Sequence, residues 1–362
     1  MKLIDIVAGA RPNFMKIAPI IEALDTDAAS ELEYRLIHTG QHYDKEMSGS
    51  FFEQLGIPEP SVNFGVGGGT QAEQTGGIMI AYETLLNERL SDLCLVVGDV
   101  TSTMACSITA KKMGVRVAHV EAGIRSGDLS MPEEINRMAT DALTDLFFTT
   151  SETANAELRR CGVDDEKVFF VGNTMIDTLF KQQPHFKAPP CWKELGLESG
   201  QFLVLTLHRP ANVDEANQLR AMLEAIVTGA NRLPVIFPIH PRTRKALKSG
   251  STAAGSLHLV DPLPYLEFNY LVSNALGVIT DSGGITEETT VMGIPCMTLR
   301  DSTERPETIT IGTNELVGTN PSNIAPYLER LCAGNWKEGK TPDKWDGMTG
   351  KRIVEILARE LA

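Results

Sequence analysis

None of the six cysteines, Cys94, Cys106, Cys161, Cys191, Cys296 and Cys332, stands in a Cys-x-x-Cys pair or in close spacing to a histidine. That absence argues against a disulfide framework and against a structural zinc site. No stretch approaches the roughly 18 apolar residues of a membrane span. Positive charge is scarce, with 33 Lys and Arg against 47 Asp and Glu, for a formal net charge of −14. Such a balance argues against a nucleic-acid binder of the basic-stripe kind, because phosphate neutralisation needs clustered cations. It leaves room for one local basic site that takes a small phosphorylated ligand. The N-terminal run from Met1 to Gly9 carries Asp5 inside it and is followed by Arg11-Pro12, so it reads as a first β-strand and not as a signal peptide. The expected setting is a reducing, cytoplasmic one, without membrane or nucleic-acid partners.

Within its 362 residues the chain holds 42% hydrophobic residues, 31 Gly and 19 Pro, a globular profile long enough for two domains. Short apolar runs recur at 3–7, 93–97, 115–120, 146–148 and 168–171, then at 202–207, 235–239, 257–260, 276–280 and 296–299. They are not alternated, and helical patterns separate them, which points to parallel strands covered on both faces. The fold class is therefore α/β, with two doubly wound, Rossmann-like domains expected to face a cleft. Between the two sets of strands lies 181–190, a proline-rich stretch without an apolar period, which reads as a linker. The expected division is 1–172, 173–345 and a C-terminal helix at 346–362. The apolar spacing of Ile353, Ile356, Leu357 and Leu361 would let that helix pack on either domain, the N-terminal one included.

Open parallel sheets collect ligands at the carboxyl ends of their strands. In the first set those ends carry Arg11-Pro12 and Lys16, then Gly98-Asp99, then Glu121-Ala122-Gly123, with Pro132-Glu133-Glu134-Ile135-Asn136-Arg137 a little further on. In the second set they carry His208-Arg209, His240, Asp281-Ser282-Gly283-Gly284 and Arg300 to Glu307. Ser282-Gly283-Gly284 opens a helix, where free N–H groups and the positive dipole end meet an anion. With Arg209, His240 and Arg305 it composes a metal-free diphosphate site. Asp99, Glu121 and Glu133 are the general acid/base candidates, on the expectation that burial and mutual repulsion raise some of their pKa values.

Each residue also has a plainer reading. Asp99 could be only a helix N-cap, Glu134 and Arg137 only a surface pair three residues apart, and Ser282-Gly283-Gly284 only a helix opener. His119, inside an apolar run, reads as a satisfied core histidine. His38 and His42 do not read as a metal pair, because Thr39-Gly40 between them breaks a helix. Two motif matches fail on context. Gly334 to Thr341 fits the G-x-x-x-x-G-K-[ST] phosphate loop but follows a helix pattern, and Gly67 to Ala72 fits G-x-G-x-x-A without the strand it needs.

Taken in order, Gly9-Ala10-Arg11-Pro12-Asn13-Phe14-Met15-Lys16, Thr39-Gly40-Gln41-His42, Gly98-Asp99, His119-Val120-Glu121-Ala122-Gly123-Ile124-Arg125-Ser126, Pro132-Glu133-Glu134-Ile135-Asn136-Arg137, Gly172-Asn173-Thr174, His208-Arg209, Thr280-Asp281-Ser282-Gly283-Gly284 and Thr303-Glu304-Arg305-Pro306-Glu307 resemble the non-hydrolysing UDP-N-acetylglucosamine 2-epimerases. The resemblance implies the type B glycosyltransferase fold, a homodimer, and no metal or redox cofactor. It implies inversion at C2 of the sugar, giving UDP-N-acetylmannosamine by loss and return of UDP through a 2-acetamidoglucal. By the same analogy Asp99, Glu121 and Glu133 exchange protons and His208 assists the departure of UDP. Arg11, Lys16, Arg209, His240, Ser282, Gly283, Gly284 and Arg305 bind the nucleotide, Glu288 holds the ribose and Phe268 borders the uracil. The form of the 208–212 segment keeps a UDP-2,3-diacetamido-2,3-dideoxy-glucuronic acid 2-epimerase as an alternative. A hydrolysing relative that releases N-acetylmannosamine is a second alternative, and a glycosyltransferase or sugar-nucleotide sensor a third.

Overall fold

The computed structural model describes the chain except for residues 27–30, 41–51, 53–54 and 240–255 and the side chains of Arg11, Pro210 and Ala211. Gln41, His42 and His240 thus lie outside the described residues. The chain divides into two compact units, one of Met1–Thr178 with Asp343–Ala362, the other of Leu179–Pro342.

The first unit runs β1 (Lys2–Ala8), α1 (Arg11–Leu24), β2 (Leu32–His38), β3 (Val62–Asn63), α2 (Gln71–Glu88), β4 (Leu93–Val97), α3 (Thr101–Lys112), β5 (Arg116–Val120), α4 (Pro132–Asp141), β6 (Leu146–Thr149), α5 (Glu152–Arg160), β7 (Val168–Phe170) and the first half of α6 (Thr174–Gln182), the helix in which the chain passes from one unit to the other. Among the described residues its strands form one parallel sheet in the order β3-β2-β1-β4-β5-β6-β7. Every residue of β4 is buried, as an unalternated run covered on both faces should be. β2 has no apolar run to announce it, since its sequence is Leu-Glu-Tyr-Arg-Leu-Ile-His. Its Arg35 lies opposite Asp5 of β1 in the register. The guanidinium donates to both carboxylate oxygens, at 2.7 and 2.9 Å, and Tyr82 of α2 donates to Asp5 at 2.9 Å. A charge that would be costly on a buried strand is thereby paired and hydrogen-bonded.

The C-terminal helix, Thr349–Leu361, packs against α1 and belongs to this unit. Its apolar face buries Ile353, Val354, Leu357 and Leu361. Trp345, just before it, is buried and donates its indole N–H to the Thr150 carbonyl at 2.9 Å. Asp177 accepts the Gly350 N–H at 2.8 Å, and burial pushes its carboxyl up to about 6.

The second unit runs α7 (Pro190–Glu194), β8 (Leu203–Thr206), α8 (Pro210–Val213), α9 (Ala216–Gly229), β9 (Val235–Pro238), β10 (Leu257–Val260), α10 (Tyr265–Asn274), β11 (Gly277–Thr280), α11 (Gly283–Met292), β12 (Cys296–Thr298), α12 (Pro306–Thr310), β13 (Asn314–Leu316) and α13 (Ile324–Cys332). Its described strands also pair in parallel, in the order β10-β9-β8-β11-β12-β13. Leu203, Leu205, Val235 and Phe237 pack into one apolar cluster, while Phe202, Val204, Ile236 and Val278 pack into another. Successive strand residues thus point to opposite, equally apolar faces, which is why the sequence shows runs and not alternation. The stretch read as a linker is more ordered than its prolines suggest: α6 extends to Gln182, a 3₁₀ turn covers Gln183–His185, and Lys187 pairs with Glu267 at 3.3 Å.

Three short or polar strands, β2, β3 and β13, escape the apolar-run criterion. In both sheets the order reverses beside the first strand, between β1 and β4 and between β8 and β11, and these are the places where such folds bind ligands.

Gly350 sits at a close approach of the C-terminal helix to α1, since a Cβ there would lie 2.3 Å from the Pro19 carbonyl oxygen. Gly350→Ala should therefore cost about 1–3 kcal/mol by overpacking, read as a lower urea midpoint with an unchanged m-value. A midpoint equal to that of the native chain would show that the helices have room to separate freely.

Candidate active site

The turns after β1, β4 and β5 gather the charged side chains of the first unit. Glu121 follows β5 in the left-handed region, at φ 71°, where a residue with a side chain is strained. Its carboxylate is buried and pairs with Lys16 Nζ of α1 at 2.8 Å. Gly98, at φ 68°, lies against the same pair: a Cβ there would be 3.2 Å from Lys16 Nζ and 3.8 Å from Glu121 Oε2. Asp99 follows, half-buried. It is not an N-cap, for that position is Val100. Its carboxylate meets Arg137 Nη2 at 2.5 Å and its carbonyl accepts from Asn136 Nδ2 at 2.8 Å. Asp99 and Glu121 are thus each held by a cation, where the sequence suggested mutual repulsion.

Helix α4 supplies most of this order. Glu133 stands half-buried in its first turn. The reading of Glu134 and Arg137 as a surface pair is wrong, because both are buried. Glu134 accepts the N–H groups of Ser126 and Gly127 and the Ser126 hydroxyl, at 2.9 to 3.0 Å, and meets Arg137 Nη1 at 2.8 Å. Burial pushes the Glu134 carboxyl up, but these donors outweigh it and hold it below the usual range. His119 is a satisfied core histidine, bonded to Asp141 and to the Gly98 carbonyl. Arg11 opens α1, with its side chain outside the described set.

In the second unit His208 follows β8 and Asp281 follows β11, on either side of the point where strand order reverses. His208 Nδ1 lies 2.7 Å from Asp281 Oδ1 while its side chain is 62% exposed, so the ring is tethered on one nitrogen and presents the other outward. Asp281 is fully buried and also accepts from the backbone N–H groups of His208 and Arg209 and from Asn212 Nδ2. Burial raises this carboxyl, and the donors, His208 first among them, reverse the effect and hold it low. Asp281 was legible only as part of its motif; its partnership with a histidine far away in sequence was not.

Ser282 is the N-cap of α11 without a side-chain cap bond, so the first N–H groups of the helix, Gly283 and Gly284 among them, open the positive end of its dipole. A Cβ on Gly284 would meet nothing within 4 Å. Arg300, which sequence reasoning did not single out, lies 3.9 Å from where a Cβ of Gly283 would be. It donates to Glu304 at 2.7 Å, and Arg209 reaches the same carboxylate at 3.6 Å. Burial works to raise Glu304, but the Arg300 guanidinium overrides it and holds the carboxyl at about 2. Arg305 pairs with the buried Glu287 of α11. Next along that helix, Glu288 accepts the Tyr265 hydroxyl of α10 at 2.7 Å. Phe268, half-buried on α10, packs against the apolar cluster of that face.

The two rejected motif matches have plain structural uses. Thr70 and Glu73 form a capping box at the start of α2, with bonds of 3.2 and 2.8 Å. In the segment after α13, Trp336 donates to the Thr313 carbonyl at 2.7 Å and Lys337 to the Ile309 carbonyl.

Comparison with known proteins adds a family to this geometry. Residues 24–358 match the family model described as UDP-N-acetylglucosamine 2-epimerase. The UDP-N-acetylglucosamine 2-epimerase of Methanocaldococcus jannaschii is 39% identical over 99% of each chain. The UDP-2,3-diacetamido-2,3-dideoxy-D-glucuronate 2-epimerase of Pseudomonas aeruginosa is 36% identical over 99% of this chain and 100% of that one. A crystal structure of the M. jannaschii enzyme in complex with UDP-GlcNAc and UDP superposes with a TM-score of 0.85, at 38% identity, covering 99% of this chain and 100% of that one.

Burial pushes Glu288 from an ordinary value of 4.5 up to about 7. Between those values the folded protein binds more protons than the unfolded chain, so this contribution to stability is full below pH 4.5 and is lost as pH rises through 7. Glu288→Gln has no such dependence. Relative to the native chain, its unfolding free energy should rise by up to about 3 kcal/mol between pH ~4.5 and pH ~8, measured by urea titration at each pH. A difference independent of pH would place Glu288 in water.

Proposed function

Because the chain belongs to the UDP-N-acetylglucosamine 2-epimerase family, we propose that it inverts C2 of UDP-N-acetylglucosamine reversibly, giving UDP-N-acetylmannosamine. What supports the reading is the sorting of the polar groups: carboxylates follow β4 and β5 in one unit, while the His208–Asp281 pair and the open end of α11 follow β8 and β11 in the other. The first set suits proton transfer at a sugar carbon. The second suits a diphosphate.

The reaction then runs by elimination and return. A carboxylate among Asp99, Glu121 and Glu133 takes the C2 proton, the C1–O bond breaks with its electron pair going to UDP, and a 2-acetamidoglucal remains. UDP adds back to C1 while a proton reaches C2 on the opposite face. Lys16 holds the Glu121 carboxylate in place and Arg137 holds that of Asp99. His208, its Nδ1 tethered to Asp281, offers its other nitrogen to the departing diphosphate. The N–H groups of Gly283 and Gly284 and the Ser282 hydroxyl take phosphate oxygens, with Arg11, Lys16, Arg209, His240 and Arg305 as the cationic complement. Glu288 holds the ribose hydroxyls and Phe268 borders the uracil. No step calls for a metal or redox cofactor. The working form is a homodimer in the cytoplasm, a setting that suits six free thiols.

The P. aeruginosa relative, at 36% identity, favours one second reading: the same inversion on UDP-2,3-diacetamido-2,3-dideoxy-glucuronic acid. Proton NMR in deuterated water, with either sugar nucleotide and no added cofactor, decides between them. Deuterium at C2 with a UDP-N-acetylmannosamine signal is the expected result, whereas free N-acetylmannosamine would reveal hydrolysis and exchange only in the uronic acid would move the substrate. Asp99→Asn, Glu121→Gln and Glu133→Gln should each slow that exchange, by about 10²–10⁴-fold for a residue that itself transfers the proton. Full activity in all three would sink the proton-transfer assignment.

A further inference from the structure

One buried ionic cluster takes no part in the chemistry above. His119, in β5, is 0% exposed and uses both ring nitrogens: Nε2 faces the Gly98 carbonyl at 2.8 Å and Nδ1 faces Asp141 at 2.7 Å. A carbonyl only accepts, and burial of Asp141, which would raise its carboxyl, is outweighed by His119 and Arg125, which hold it low and charged. Both ring nitrogens are therefore engaged. Asp141, at the end of α4, further accepts the Gly123 N–H at 3.1 Å and meets Arg125 Nη1 at 2.7 Å.

These contacts converge on the two turns that carry the proposed proton-transfer groups. Gly98 immediately precedes Asp99, and Glu121 lies two residues before Gly123. Gly123, at φ 77°, has no room for a side chain, since a Cβ would sit 2.5 Å from the Ala154 carbonyl oxygen. Helix α4 already grips Asp99 through Asn136 and Arg137. His119 fastens the far end of that helix to the turn after β4, and Asp141 fastens it to the turn after β5.

We propose that His119 is a positioning residue for the epimerisation: through the Gly98 carbonyl and Asp141 it sets the Asp99 turn and the Glu121 turn against each other without touching the substrate. The inference rests on the proposed function. It matters because two carboxylates that serve one carbon tolerate little displacement, and about 1 Å of misplacement can cost on the order of 10²-fold.

The amide nitrogen of Gln can replace Nε2 and that of Asn can replace Nδ1, so the two isosteres separate the two contacts. The full-length native chain, His119→Gln and His119→Asn are compared for C2 exchange, kcat and KM with UDP-N-acetylglucosamine, UDP affinity by calorimetry and melting temperature. His119→Asn should lose about 30–100-fold in kcat, with KM and UDP affinity changed less than about threefold; His119→Gln, which keeps the Gly98 contact, should recover kcat to within about tenfold of the native chain. If His119→Asn does not fold, Asp141→Asn perturbs the other of the two contacts, the one through Nδ1, and should likewise lower kcat at unchanged UDP affinity. Native kcat in both His119 variants, or equal losses that follow melting temperature alone, would overturn the proposal. A native chain that exchanges no C2 proton would overturn the proposed function and this inference with it.

Discussion

Parallel strand pairing is the constraint on which the remaining structure depends. A parallel sheet aligns all its carboxyl ends on one edge, and each crossover must leave that edge through a turn. Where the strand order reverses, two neighbouring crossovers depart to opposite faces and leave a crevice. In the first unit this happens at β1 and β4, and in the second at β8 and β11. Lys16 and Asp99 come from the connections at the first reversal, His208 and Asp281 from those at the second. Their proximity within each unit is a consequence of topology, since they are distant in sequence.

Crowding charge at such an edge is costly, and the structure offsets that cost by pairing. Glu121 meets Lys16, Asp99 meets Arg137, Asp281 meets His208, and Glu304 meets Arg300. Most of these carboxylates are buried, so removing a single partner would leave a buried charge uncompensated, at about 3–5 kcal/mol. Glu288, buried beside Glu287 and a tyrosine, retains its proton to about 7. One helix, α4, shows how densely such work can be placed: Glu134, Asn136, Arg137 and Asp141 each fasten a different part of the turns after β4 and β5.

Much of this was legible in the residues. Unalternated apolar runs marked β4 and β10 to the residue, because strands covered on both faces need apolar side chains on both. The polar groups at strand ends were legible for the same reason: nothing in the core accounts for them. β2 was not, because its Arg35 is neutralised by Asp5, a partner that becomes visible only in the register of the pair. Glu134 and Arg137 looked like a surface pair because three-residue spacing fits one, and only the turn at Ser126 and Gly127 covers them.

The amino-acid sequence by itself determined the α/β class, the two sets of strands, the polar turns at the strand ends and the family to which the chain belongs. These are properties of local pattern: period, apolar run length and motif order. The tertiary structure alone decided who meets whom. It set the C-terminal helix on α1, gave Glu121 its lysine and His208 its aspartate, and turned a core histidine into a tie between two turns. The reason is physical. An ion pair or a close helix contact depends on distance in space, and residues as far apart as His208 and Asp281 come within 2.7 Å only once the sheet has placed their strands side by side.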